Sequence, residues 1–410
     1  MHELRNSADG ELPKIVKKTY RYWVEMNDGK KYLDIQSGNS AFTLGYGNKE
    51  VIQAMADKID SVAFIRGNTG ETDQDTQELV NFILSESRLS VMSWAIAGTS
   101  AVECAIMMND SYWKTVDPTK NLIVSCTPSY HGTSYLTRAM ANPYNIEFTL
   151  DRLRCIRAPK WNKIEQREFE EERALGELEK RFEKFSDSKN IGAFIVETCP
   201  WMNGIMPYSK RWWEGVRYLC TQYKVNLITD DVAVCWGKSL SYFGFSTAGY
   251  NIQPDITACG KSLSAGYAPI GFAAANSRIG EVLSTQEWGW GHTWQPYMAG
   301  IGAMKKVIQI IQNHGLFTKS KDTVIRLNEI AKDLENRILI KSFRQQGLFL
   351  ELDFIKPMAG LMGKLTNAGL LSTTQQNNSI RIIANLIADD EYFNELRTRL
   401  DNFFSKNVSQ

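Results

Sequence analysis

V-N-L-I-T-D-D-V-A-V-C-W-G-K-S, from Val225 to Ser239, and P-D-I-T-A-C-G-K-S-L-S-A-G-Y-A-P-I-G, from Pro254 to Gly271, carry the plan of this chain. One apolar, β-branched run, Val225 to Thr229, stops at Asp230 and Asp231; another, Ile256 to Cys259, stops at Gly260 and Lys261. Runs of this length and composition, closed by polar or glycine residues, predict strands. The same rhythm extends upstream. A strand over Val91–Ala97 leads through Gly98-Thr99-Ser100 into a helix over Ala101–Trp113, and a further strand is expected over Asn121–Cys126. Ile191–Val196 is continuously apolar and ends on Glu197, as a strand buried on both faces does. A helix over Arg211–Tyr223 follows, and Gly271–Ala275 adds one more short strand. Strand and helix in alternation predict a mainly parallel sheet with helices on both sides, an α/β fold.

The flanks read differently. Residues 1–20 are polar and are expected to form an arm; Tyr20–Asp34 alternates around Asn27-Asp28-Gly29 as a hairpin does. Gln36–Ser40 is expected as a loop, Lys49–Ile59 and Thr76–Ser85 as helices, and Lys163–Lys184 as a solvated helix. From Tyr297 the rhythm breaks. Helices over Met298–Asn313, Leu316–Leu339 and Asp389–Lys406 surround strand-like Gly347–Phe354 and Ser379–Ile383, which predicts a separate C-terminal α+β lobe.

Composition narrows the function classes. Charge is balanced, 47 basic against 46 acidic residues, which argues against a general nucleic-acid or membrane-surface binder. Seven cysteines occur with no C-x-x-C pair, a pattern of reduced thiols and an intracellular, cytoplasmic protein. The N-terminal residues carry no apolar signal-peptide core, and no apolar run is long enough to cross a membrane. Trp288, Trp290 and Trp294, in W-G-W-G-H-T-W, suggest a shaped pocket wall or an interface.

Ligands bind at strand ends in open α/β sheets, so Asp230 and Lys261 are placed to face one pocket. Burial can turn a lysine into a nucleophilic amine. An acid at a ring nitrogen and an amine at an aldehyde carbon are what pyridoxal phosphate (PLP) requires. A capping aspartate and a solvated loop lysine would have the same spacing. Gly98-Thr99-Ser100 ahead of a helix is an anion site in outline, or no more than a helix cap. Tyr130 and His131, in S-Y-H-G, stand where an aromatic could stack on a flat ring or merely pack in a turn. Arg381 inside the apolar strand I-R-I-I needs a partner, either an anionic ligand group or a structural salt bridge.

Taken in order, these motifs resemble the class III (ornithine/ω-amino acid type) aminotransferases, PLP enzymes of fold type I. A-G-T-S-A-V-E-C-A-I resembles that family's phosphate turn, S-Y-H-G its Y-H-G, I-T-D-D-V-A-V-C-W-G-K its I-x-D-E-V segment, and P-D-I-T-A-C-G-K its lysine motif. The likeness runs from about Tyr20 to the C-terminus. It implies a large domain with a mainly parallel seven-stranded sheet and a small α+β domain drawn from both termini. The division expected is residues 1–55 as arm and part of the small domain, 56–300 as the PLP-binding domain and 301–410 as the C-terminal small domain. It further implies PLP as cofactor, a Schiff base on Lys261, and Asp230 at the pyridinium nitrogen. Gly98 and Thr99 would hold the phosphate, Tyr130 the ring face, and His131 and Glu197 the ring surroundings. Thr293 would reach the phosphate of a neighbouring copy, hence a homodimer with shared sites. Arg381 and Trp236 would meet the substrate, a small amine or oxo acid. No metal, membrane or nucleic-acid partner is implied.

This chain departs from the family pattern in several places. Asp230-Asp231 replaces Asp-Glu, C-W-G-K replaces G-x-G-R with Lys238 for arginine, Glu197-Thr198 replaces Glu-Pro, and P-W-M-N-G replaces a glycine-rich loop. The expected activity is amino transfer between an amine or amino acid and an oxo compound. Decarboxylation, racemisation or an amino shift on the same scaffold, and a catalytically idle subunit, stand as alternatives.

Overall fold

The computed structural model describes residues 15–141, 150–161, 163–186, 190–201, 203–247, 250, 252–372 and 378–407. The expected polar arm lies mostly outside these residues, and its last part corrects the expectation. Val16–Tyr20 is a strand (β1) pairing antiparallel with β2, Trp23–Met26, which turns through Asn27-Asp28-Gly29 into β3, Lys31–Asp34.

The central sheet is built from β4 (Val91–Ala95), β5 (Leu122–Thr127), β6 (Leu153–Arg157), β7 (Ile191–Glu197), β8 (Asn226–Asp230), β9 (Ile256–Cys259) and β10 (Gly271–Ala275). Its order is β4-β10-β9-β8-β7-β5-β6. Only β10 runs against its neighbours β9 and β4; the other pairings are parallel. Every residue of β7 and β8 is buried, as befits central strands of a mainly parallel sheet covered on both faces. The period of two divides their side chains between two helical layers. Ile123, Ile195 and Ile228 meet Val102, Ala105 and Ile106 of the helix Gly98–Val116. Val124, Phe194 and Leu227 meet Trp212, Trp213 and Val216 of the helix Lys210–Gln222. The helix Arg167–Ser186 is less solvated than its charge suggested, because Ala174, Leu178 and Phe182 join that second layer.

A smaller unit joins the two ends of the chain. β11 (Ser342–Gln346), β12 (Phe349–Asp353) and β14 (Ser379–Ile383) form an antiparallel sheet. Between β12 and β14 lie a helix, Leu361–Asn367, and β13 (Leu370–Leu371), which pairs parallel with β3. The expectation of a mixed α/β protein with an additional α+β lobe holds. Among the described residues, no helix is long and apolar enough to cross a membrane.

Candidate active site

The C-terminal ends of β4, β5, β7, β8 and β9 open on one edge of the sheet, and the chemistry-bearing residues collect there. A cavity of about 150 Å³ is lined by Gly98 and Thr99 beyond β4, by Tyr130 and His131 beyond β5, and by Glu197 and Trp201 from β7 and its loop. Asp230 at the end of β8, Val232 just after it and Lys261 beyond β9 also line it. Parallel register makes Glu197 and Asp230 direct neighbours, so two carboxyl groups enter the cavity side by side.

Each is held by hydrogen bonds that leave it little freedom. Asp230 Oδ1 accepts the Val232 N–H at 3.0 Å, and Oδ2 lies 2.8 Å from His131 Nδ1. Burial opposes a charge on His131, but the Asp230 carboxylate outweighs it and raises the imidazole pKa. The other ring nitrogen, Nε2, is buried without a hydrogen-bond partner. Glu197 accepts the N–H of Tyr130 and the N–H of Trp201, both at 3.0 Å, and so ties the loops after β5 and β7 together. Burial pushes its pKa up to about 7, with His131 opposing and Asp230 reinforcing the rise.

Lys261 is buried, and desolvation lowers its pKa although Asp230 and Glu197 pull the other way. Its backbone adopts φ 42°, a left-handed conformation that costs a non-glycine residue about 1–3 kcal/mol. The surroundings hold it there. The Ser262 hydroxyl donates to Ser40 O at 2.8 Å, and the Ser40 hydroxyl donates to Ala233 O at 2.8 Å, so the Gln36–Ser40 segment pins the turns after β9 and β8 together. Gly260 packs directly on backbone: a Cβ there would lie 2.9 Å from Gly98 Cα.

The helix Gly98–Val116 presents its N-terminus to the same cavity. Ser100 Oγ turns back to accept the N–H of Ala97 at 3.0 Å, while the first helical N–H groups have no intrahelical acceptor. Gly132, at φ 122°, lies so close to Thr99 that a Cβ would meet its hydroxyl at 2.5 Å. The donor set suits PLP: orphan N–H groups and a dipole for a phosphate, a carboxylate for a ring nitrogen, and a desolvated amine for an aldehyde carbon. Gly98 and Gly132 let Val232 and Thr99 pack where a Cβ would collide with them.

Other expected site residues lie elsewhere. Trp236 does not line the cavity; it is fully buried and packs edge-on against Phe82, Tyr242, Phe243 and Phe272 in the main core. Its bulk is absorbed by aromatic packing, which corrects the expectation of substrate contact. Trp288 and Trp290 donate to Ser93 Oγ and Trp94 O, both at 3.1 Å, and Trp294 is half-exposed beside Phe64, so these rings form no wall of this cavity. Thr293 is exposed and does not line the cavity of its own chain. Arg381 has the salt-bridge partner that its apolar strand demanded: its Nε donates to Glu351 Oε2 at 2.8 Å. Sequence reading missed Glu351 and, as a lining residue, Trp201. The signal for Trp201 was present, a bulky residue where the family keeps glycine.

The sequence model of the family described as Aminotransferase class-III matches residues 5–404. A diaminobutyrate–2-oxoglutarate transaminase of Halomonas elongata is 25% identical over 376 residues, 86% of this chain and 78% of that protein. A mitochondrial gamma-aminobutyrate transaminase 1 of Oryza sativa subsp. japonica is 24% identical, over 83% of this chain and 69% of that protein. Among solved structures, an (S)-enantioselective omega-transaminase from Thermomicrobium roseum superimposes with TM-score 0.92 at 22% identity, covering 100% of this chain and 96% of that one. A PLP-bound amine transaminase from an uncultivated Pseudomonas species gives TM-score 0.90 at 21% identity, with 99% and 98% coverage.

Proposed function

The chain belongs to the class III aminotransferase family, PLP-dependent enzymes that pass an amino group between small amines and oxo acids, and from that premise we propose how its own residues do so. The observation that carries the assignment is the meeting of Lys261, Asp230 and the Gly98–Thr99 helix end in one cavity. Bound there, PLP would supply an aldehyde carbon for an amine and a ring that accepts the electron pair released at the substrate α-carbon.

Lys261 is assigned the aldehyde end. Its lowered pKa favours the neutral amine, which serves first as nucleophile and then, at Nζ, as carrier of the α-proton. Asp230 is assigned the ring nitrogen, where its ionised form, fixed by Val232 and His131, keeps a proton in place. The N–H groups of Gly98 and Thr99, with the Thr99 hydroxyl, take the phosphate, and Tyr130 takes the ring face. Glu197 positions the Tyr130 and Trp201 backbones.

The exposure of Thr293 supports a homodimer in which this residue completes a neighbour's phosphate site. The unpaired state of all seven cysteines supports a reducing, cytoplasmic setting. The deciding experiment is the absorbance spectrum of the purified chain with PLP added. A visible or near-ultraviolet band that disappears in Lys261→Ala, together with amino transfer to an oxo acid, is expected. A chain that takes up no PLP would overturn the assignment.

A further inference from the structure

We propose that Arg344 and Gln346, on a strand that lines no part of the cavity, are positioning residues: they fix the loop after β7 and so seat the Trp201 indole over Lys261 Nζ as a cover against water. The inference rests on the site assigned above and adds two residues of the small lobe to it.

The first observation is the inner face of β11. Ser342, Arg344 and Gln346 alternate with Phe343 and Gln345, and it is the first three, all polar, that are buried. Buried polar groups need hydrogen-bond partners, and these find them on two neighbours. Ser342 Oγ donates to Asp353 Oδ2 at 3.0 Å, and Arg344 reaches both oxygens of the same carboxylate, with Nη2 2.8 Å from Oδ1. This two-pronged pair orients the planar guanidinium so that its Nε–H meets the loop after β7, donating to Gly204 O at 2.9 Å. Gln346 Nε2 donates to Thr198 O in the same loop at 3.0 Å.

The second observation is what lies between those two pins. Trp201 stands between Thr198 and Gly204 in the chain; its indole lines the cavity, with Lys261 Nζ 4.3 Å from the ring centre, and rests edge-on against Phe349 at 6.1 Å. The loop does not keep this path unaided. Gly204 and Ile205 both have left-handed backbones, φ 88° and 51°, and a β-branched residue stays there only where its surroundings hold it. Trp201 O accepts the Gly204 N–H at 3.4 Å, so the turn that Arg344 grips closes directly on the tryptophan. Both pins end on backbone carbonyls and fix the path of the loop whatever its side chains; P-W-M-N-G puts an indole on that path. A flat apolar ring over a desolvated amine keeps water from the atom that reacts.

The test follows access of solvent reagents to Lys261. In the full chain loaded with PLP, hydroxylamine removes the absorbance band, and its rate is expected to rise about tenfold or more in Arg344→Met, Gln346→Met and Trp201→Ala. In the PLP-free chain, acetylation of Lys261 by N-hydroxysuccinimidyl acetate, read by peptide mass spectrometry, is expected to rise by the same factor. Lys238, also fully buried, is expected to stay unlabelled and so reports that the fold is intact. The double variant Gln346→Met, Trp201→Ala is expected to label no faster than Trp201→Ala, because both changes remove one cover. Gln346→Met leaves the Arg344–Asp353 pair in place and decides the matter where Arg344→Met does not fold. Lys261 labelling unmoved by Gln346→Met, a rise matched at Lys238, additive effects in the double variant, or equal loss of the band in wild type and variants would overturn the proposal. A wild type that takes up no PLP would instead overturn the assigned function, and labelling of Lys261 would still decide whether the indole is a cover.

Discussion

Asp230 Oδ2 stands 2.8 Å from His131 Nδ1, and both side chains are buried at the edge of the sheet where five strand ends converge. Among the described residues the imidazole is the only side chain that hydrogen-bonds the Asp230 carboxylate, whose other bond comes from the Val232 N–H. Asp230→Asn removes the charge assigned to the ring nitrogen and is expected to lower kcat by roughly 10²-fold or more. His131→Asn keeps a hydrogen-bonding group near Asp230 but loses the charge, and is expected to cost roughly 10–100-fold, in line with other residues that orient a reacting group. Half-reaction rates with a single donor, measured beside the absorbance band, separate loss of chemistry from loss of cofactor.

Thr198 donates its hydroxyl to Asp231, and Gly244 N–H donates to the same carboxyl group at 2.7 Å. Two departures from the family pattern thus contact each other. Thr198→Val leaves Asp231 short of a donor in a buried place, and a loss of about 1–3 kcal/mol is expected. Burial pushes the Asp231 pKa up to about 7 from 3.8, with Thr198 and Gly244 opposing. The folded state therefore holds a proton that the unfolded state has lost between these values, and the contribution of Asp231 to stability falls as pH rises through that window. Asp231→Asn does not titrate. Its melting temperature is expected to gain on the wild type steadily from about pH 4 to pH 7, and a constant difference would contradict the raised pKa.

Much of this site was legible in the sequence because its parts are local. Strand-end acids, a lysine after a glycine, and a helix opening on Gly-Thr-Ser each declare themselves within a few residues, and parallel topology brings such ends to one edge. What was not legible depended on distant partners. Trp236 reads as an unusual bulky residue beside the site, yet Phe82, Tyr242 and Phe272 enclose it, and only the fold supplies them. Trp201 lay in a loop recognised as divergent, but nothing local says that it turns inward between Lys261 and Arg381. The strand Val16–Tyr20 was missed because its adjacent lysines, Lys17 and Lys18, break any period of two and its apolar content is small, and pairing with β2 stabilises it.

Lys238, the replacement for a family arginine, is fully buried and donates to Ala384 O at 2.9 Å. Burial lowers its pKa to about 7 from 10.5, with Asp34 opposing. Between these values the unfolded chain binds a proton that the folded chain does not, so stability rises with pH from about 7 to 10.5 and is lost as pH falls through 7. Lys238→Met keeps the length and removes the charge. It is expected to stabilise the protein at pH 7 by roughly 1–4 kcal/mol, as apolar replacements of buried charges often do. The advantage should shrink toward pH 10, and melting curves at pH 7 and pH 10 test both statements.

Gly98 is the position where the proposed phosphate cup tolerates no side chain. A Cβ there would lie 2.4 Å from Val232 Cγ1, and Val232 N–H is the donor that fixes Asp230. Gly98→Ala is therefore expected to do two things at once. It overpacks the contact, at a cost of about 1–3 kcal/mol in the PLP-free protein, and it shifts either the helix N-terminus or Asp230, weakening PLP binding at least tenfold. The two effects separate in the double variant Gly98→Ala, Val232→Ala, which removes the colliding methyl groups but keeps the backbone donor. Restored melting temperature together with restored PLP affinity would place the whole effect in the Val232 collision. Restored melting temperature with PLP binding still weak would place the added methyl group in the phosphate's own space, the outcome expected if Gly98 and Thr99 form the cup.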